Sequence, residues 1–121
     1  MTLQILAVDD SRTMRKMIQM TLENAGIETH LADDGVNGLT ALEGLEPDAI
    51  ITDINMPNLD GFGFIDAVRA QDKHRKTPIL VLTTESAPEL KAKARQAGAT
   101  GWVVKPFDPD KLVRALNMIA G

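Results

Sequence analysis

The chain has 121 residues, of which 44 % are hydrophobic and 25 % charged, proportions that suit one folded soluble domain over residues 1–121 and exclude a disordered tail. A net charge of -4 with scattered Lys and Arg, three Phe, one Trp and no Tyr leaves neither a basic stripe for a phosphate backbone nor platforms for stacked bases, so no nucleic-acid partner is expected. The lack of Cys excludes disulfides and thiolate metal sites and suits a reducing compartment. The opening "MTLQILAVDD" has no basic n-region and meets two Asp after a short apolar run, so it does not read as a signal peptide. No apolar run approaches the roughly 20 residues of a membrane span, and the cytoplasm is the expected location, without a membrane partner.

Apolar or β-branched runs recur as "QILAV", "ETHLA", "AIIT", "ILVLT" and "WVV", and each precedes a stretch of helical periodicity. In the first helical stretch Met14, Met17, Ile18, Leu22 and Ala25 follow the i, i+3, i+4 spacing of one buried face. Ser11 is its candidate N-cap, and Gly26 stands where a C-terminal cap belongs. The second stretch is expected from Gly35 to Leu45, with Val36, Leu39 and Leu42 on one stripe and Asp34 as its cap. The third follows Gly61 and carries Phe64, Ile65 and Val68; the fourth opens with Pro88 and stops at Gly98. The fifth opens with Asp108-Pro109 and presents Leu112, Ala115, Leu116 and Ile119 to a core.

Strict alternation of strand and helix predicts parallel pairing through right-handed crossovers, with helices on both faces of the sheet. The near-continuous apolar strands "AIIT" and "ILVLT" agree, because a strand covered on both sides has no polar face. The fold class is therefore α/β, a doubly wound five-stranded parallel sheet with five helices.

In such sheets ligands bind outside the carboxyl ends of the strands. Those ends carry Asp9 and Asp10 after the first strand, Asp53 after the third, Thr83 and Thr84 at the fourth and Lys105 after the fifth. Two adjacent carboxylates about 4 Å apart repel by roughly 4 kcal/mol at the effective dielectric near a protein surface, so a positive partner belongs beside "VDD". Three carboxylates on one rim could hold a hard divalent cation, and an all-oxygen donor set suits Mg²⁺ over Zn²⁺. Lys105 adds a second positive charge and Thr83 a hydroxyl that can donate to an oxyanion. Metal, cation and hydroxyl around one carboxylate make a site for a phosphoryl group on Asp, and Asp53 is the central candidate. Taken singly, each residue has an ordinary role: Asp9 and Asp10 at a helix start, Asp53 in a turn, Thr83 as a β-former. Their coincidence on one rim is what points to chemistry.

With "VDDS", "TDINMPNLDG", "LTTES" and "GATGWVVKPF" in order along five βα units, the sequence resembles the receiver domain of two-component response regulators, and among them the single-domain chemotaxis regulators of the CheY type. The resemblance covers essentially the whole chain. It implies the flavodoxin-like strand order 2-1-3-4-5 and a phosphoacceptor switch rather than an enzyme. Asp53 would accept a phosphoryl group from a phosphohistidine, with Asp10, Asp53 and the backbone carbonyl of Asn55 on Mg²⁺ and Asp9 reaching the metal shell through water. Thr83 and Lys105 would each bond a phosphoryl oxygen, and the Lys105-Pro106 bond would be cis. Trp102, where many chemotaxis members have Tyr, would swing inward as Thr83 moves, while Asn55 and Glu85 would tune the lifetime of the phosphoryl group.

The partners implied are a CheA-like histidine kinase and a FliM-like flagellar motor switch protein, met by a monomer through helix four, strand five and helix five, with Trp102 and Val104 on that surface. With no effector domain after Gly121, output is expected by binding, either to the motor or as a phosphate sink on a shared kinase. A phosphohydrolase of the haloacid dehalogenase type also uses a strand-end Asp, but it needs a second Asp two residues on, where this chain has Asn55. No P-loop occurs, and "GFGF" does not complete a dinucleotide fingerprint. His30 and His74 are expected to lie away from the rim.

Overall fold

Short apolar strands alternating with capped helices leave the chain one economical arrangement, a parallel sheet wound on both faces. The computed structural model describes residues 2–120. Along it run β1 (Gln4–Val8), α1 (Arg12–Asn24), β2 (Glu28–Ala32), α2 (Gly35–Leu42), β3 (Ala49–Thr52), α3 (Gly61–Arg69), a single 3₁₀ turn (Asp72–His74), β4 (Ile79–Thr83), α4 (Pro88–Ala97), β5 (Gly101–Val104) and α5 (Pro109–Ala120). The five strands pair in parallel in the order β2-β1-β3-β4-β5. This is the expected flavodoxin-like order, and the chain reverses direction across the sheet between β1 and β3.

Successive strand residues point to opposite faces, and the core divides accordingly. Leu6, Val8, Ile50, Ile79 and Val81 meet Leu42 of α2, Phe64, Ile65 and Val68 of α3 and Ala94 of α4. On the other face Ile5, Ala7, Ile51, Leu80 and Leu82 meet Ile18 and Leu22 of α1 and Leu112 and Leu116 of α5. Each fully buried Ile or Leu contributes about 1.5–3 kcal/mol by leaving water, which fixes the strands and the ends they carry.

The helix starts follow their capping chemistry. Ser11, Asp34 and Asp60 each accept a backbone N–H from the first turn of α1, α2 and α3, satisfying donors that a helix leaves unpaired. Gly26 at φ 77 and Gly98 at φ 112 take the left-handed conformation beyond α1 and α4.

Three expectations need correction. Helix α2 ends at Leu42, not Leu45, because the Glu43 and Gly44 amides bond Thr40 and Ala41 three residues back and the helix tightens and unwinds. Val36 is 47 % exposed rather than on the buried stripe. A Cβ at Gly38 would fall 2.8 Å from Phe64, so α2 approaches the core through its glycines and Val36 turns outward. On α1, Met17 is 45 % exposed and Ala25 is also outside the core, leaving Ile18 and Leu22 as its fully buried residues. The 3₁₀ turn at Asp72–His74 was not anticipated either; it buries His74.

Candidate functional site

Each rim residue begins where a strand stops. The Asp9 amide still bonds Ala32 O of β2, the Asp53 amide bonds Val8 O of β1 at 3.0 Å, and the Lys105 amide bonds Thr83 O of β4 at 2.8 Å. The sheet ladder therefore extends one residue past β1, β3 and β5 and sets three charged side chains on one edge.

Lys105 Nζ lies 2.8 Å from Asp9 Oδ2 and 2.7 Å from Asp53 Oδ2. The other oxygens of the two carboxylates accept main-chain amides: Asp9 Oδ1 from Ser11 at 2.9 Å and Asp53 Oδ1 from Ile54 at 2.6 Å. Both carboxylates are buried, which is tolerable for charged groups only with such partners. Lys105 thus supplies positive charge to Asp9, one of the two adjacent acids, and to Asp53 across the rim. Burial pushes the Asp9 carboxyl above its ordinary range, outweighing the Lys105 and Ser11 hydrogen bonds that lower it. Burial also works against the charged Lys105, yet bonds to Asp53 and Asp9 hold its ammonium above the ordinary value. The two directions agree physically, since one ammonium serves two carboxylates and each acid receives only a share of it.

Asp10 is exposed, and Asp9, Asp10 and Asp53 each bring a carboxylate oxygen within 4.8 Å of the others. A cluster of hard, anionic oxygen donors fits Mg²⁺, which prefers carboxylates and water to nitrogen or sulfur ligands. Thr83 is fully buried, and its Oγ1 accepts the Glu85 amide at 3.3 Å. Thr84 beside it is exposed. Asn55 Nδ2 donates to Glu85 Oε1 at 3.1 Å, so the two residues expected from the resemblance to tune the phosphoryl lifetime are bonded to each other. Trp102 is half-buried against the α3–α4 side of the core, and its indole N–H donates to Glu85 O at 3.0 Å. Val104 is 38 % exposed beside it on β5, and the Lys105-Pro106 bond is cis. His30 pairs with Glu28, and His74 with Thr77, both away from the rim.

Two supports of the site were not foreseen. Arg15 donates from Nη1 to Asp9 O at 2.8 Å and fixes the β1–α1 turn; a lone basic residue in a helical stretch carries no sign of it. A Cβ at Gly61 would collide with Asp53 O and stand 2.7 Å from Ile54 Cα, so α3 can start against Asp53 only with glycine there.

Residues 5–117 match the response regulator receiver domain family. The chain is 37 % identical over 123 residues to chemotaxis protein CheY1 of Helicobacter pylori, covering 98 % of each. The structure of Vibrio cholerae chemotaxis protein CheY4 superposes with a TM-score of 0.94 at 45 % identity, covering 98 % of this chain and 99 % of that one. The receiver domain of a sensor histidine kinase from Pseudomonas aeruginosa, with a magnesium ion coordinated in its active site cleft, superposes with a TM-score of 0.92 at 30 % identity, covering 100 % and 99 %. The acidic rim, the strand order and these likenesses agree: the chain belongs to the response regulator receiver domain family, the CheY-like phosphoacceptor switches of two-component signalling.

Proposed function

We propose that residues 1–121 form a single, monomeric receiver domain in the cytoplasm that carries a chemotaxis signal from a histidine kinase to a flagellar motor switch protein. The observation that carries this reading is the Lys105 ammonium shared between Asp9 and Asp53 beside the exposed carboxylate of Asp10. Asp53 is the acceptor: a carboxylate oxygen forms a bond to phosphorus as the phosphorus–nitrogen bond of a phosphohistidine breaks, the imidazole nitrogen keeping the electron pair. Asp10, Asp53 and the Asn55 carbonyl would hold Mg²⁺, with Asp9 reaching it through water. Bound there, Mg²⁺ would supply positive charge to the phosphoryl oxygens.

Lys105 then has two tasks. It neutralises the buried acids in the resting state and turns its ammonium to a phosphoryl oxygen once Asp53 carries the acyl phosphate. The Thr83 hydroxyl donates to a second oxygen, and moving it draws on the Glu85 amide that it now accepts. A phosphoryl group adds about -1.5 to -2 charge and three acceptor oxygens. Taking a switch from 1:99 to 99:1 needs about 5.5 kcal/mol, and two charge-assisted bonds at about 1.5–3 kcal/mol each reach that range. Glu85 passes the change on, because its carbonyl holds Trp102. The output surface is α4, β5 and α5, with Trp102 and Val104 at its centre.

The test is to load the protein with Mg²⁺ and a beryllium-fluoride phosphoryl mimic and titrate a peptide from a motor switch protein, following Trp102 fluorescence. Binding that depends on the mimic supports the motor-directed output. A mimic-induced change without peptide binding contradicts it and leaves a phosphate sink as the role of a working switch.

A further inference from the structure

We infer that Asp34, which lies outside the phosphorylation rim, is a positioning residue for the divalent-cation site and acts through Asn58 on the loop that carries Asn55. The inference rests on the proposed reading in which the Asn55 carbonyl joins Asp10 and Asp53 as a cation ligand. The Asp34 side chain is buried at 6 % exposure and serves two elements at once. Its Oδ1 accepts the Asn37 amide at 2.7 Å and caps α2. Its Oδ2 accepts Asn58 Nδ2 at 2.6 Å, a bond from the β2–α2 turn to the β3–α3 loop.

Asn58 sits at φ 67, in the left-handed region, where Asn is tolerated better than most side chains. Its neighbour Leu59 is docked on the same turn, since a Cβ at Gly35 would stand 2.6 Å from Leu59 O. At the other end the loop is closed by the Gly61 amide on Ile54 O at 2.8 Å. Asn55 lies between these two ties. Asn55 is also held from the β4 side, by its side-chain bond to Glu85 Oε1 at 3.1 Å, and the Asp34–Asn58 bond restrains the main chain of the loop from the α2 side. Mg²⁺ demands near-ideal octahedral geometry and short metal–oxygen distances, so freedom in a carbonyl ligand costs affinity directly.

A cap and a tie separate by substitution. Asp34→Ser caps a helix as well as Asp does but is too short to reach Asn58. Asp34→Asn keeps the length; its Oδ1 can cap α2 while its amide donates to Asn58, whose own amide turns over to accept. Asn58→Gly takes the positive φ freely and removes the tie while leaving the cap intact.

Calorimetric titration with MgCl2 of the wild-type protein, the three variants and Asp53→Asn gives the test. The inference predicts saturable binding by the wild type, roughly tenfold weaker binding by Asp34→Ser and by Asn58→Gly, in the range that outer-shell partners of metal ligands are worth, and near-normal binding by Asp34→Asn. The double variant Asp34→Ser with Asn58→Gly should bind no more weakly than either single one, because both remove the same tie. Wild-type affinity in Asp34→Ser and Asn58→Gly, or a loss in Asp34→Asn as deep as in Asp34→Ser, overturns the inference; if Asp34→Ser fails to fold, Asn58→Gly decides. No saturable binding by the wild type, or undiminished binding by Asp53→Asn, instead refutes the cation-site reading itself and the inference with it.

Discussion

The indole N–H of Trp102 donates to Glu85 O at 3.0 Å, and the amide of the same Glu85 donates to Thr83 Oγ1 at 3.3 Å. One residue thus joins the buried hydroxyl of the site to the aromatic side chain of β5. Under the proposed function, a Thr83 hydroxyl turned to a phosphoryl oxygen would take an acceptor from the Glu85 segment and change the surroundings of Trp102. Mg²⁺ with beryllium fluoride is expected to shift the emission of Trp102, the only indole in the chain. Thr83→Ala should abolish that shift while keeping any response to Mg²⁺ alone.

Lys105 neutralises two carboxylates in side-chain surroundings that are 9 % exposed or less for Lys105 and Asp9. Lys105→Ala leaves them facing each other without a cation, and breaking a buried pair in this way costs about 3 kcal/mol. Mg²⁺ should restore more stability to the variant than it adds to the wild type, since it replaces the missing positive charge. Thermal unfolding with Mg²⁺ and with chelator checks both parts.

Gly61 and Gly26 make a contrasting pair. An alanine Cβ at Gly61 meets main-chain atoms of Asp53 and Ile54, so Gly61→Ala is expected to cost about 3 kcal/mol as overpacking against an immobile neighbour. At Gly26 nothing lies within 4 Å, and Gly26→Ala should cost only the left-handed penalty of about 1 kcal/mol. Urea denaturation of both variants gives the comparison.

His74 is buried at 1 % exposure with only its Nδ1 bonded, to Thr77. Burial first, and then the charges of Lys73 and Arg69, lower its basicity against the opposing pull of Leu42 O and Glu46. The unfolded chain therefore binds a proton near pH 6.5 that the folded chain refuses. The stability tied to neutral His74 is complete above that pH and is lost as pH falls through the lower folded value. Denaturation midpoints of the wild type should fall between pH 7 and pH 5, and those of His74→Leu should fall less.

Much of this molecule is legible along the chain because the signals are local. Ser11, Asp34, Pro88 and Gly98 each mark a helix end through their own backbone chemistry, and the apolar runs of β3 and β4 announce burial on both faces. Lys105 and Asp9 are 96 residues apart, yet the rule that strand ends share one rim brings them together. What stays hidden depends on approach between elements. Val36 sits at helical spacing with Leu39, but Gly35 and Gly38 bring α2 so close that it faces outward. Arg69 holds Gly98 O and His74 O at 2.7 and 2.8 Å, and nothing in an isolated arginine names two carbonyls as its partners. Asp34 reads as a cap because its local role is complete without Asn58.

Phosphoryl transfer to Asp53 tests the account most directly. Incubation with Mg²⁺ and a small-molecule phosphodonor, followed by intact-mass measurement, should show one added phosphoryl group on the wild-type chain and none on Asp53→Asn. Equal labelling of the two proteins would place the acceptor elsewhere and contradict the account.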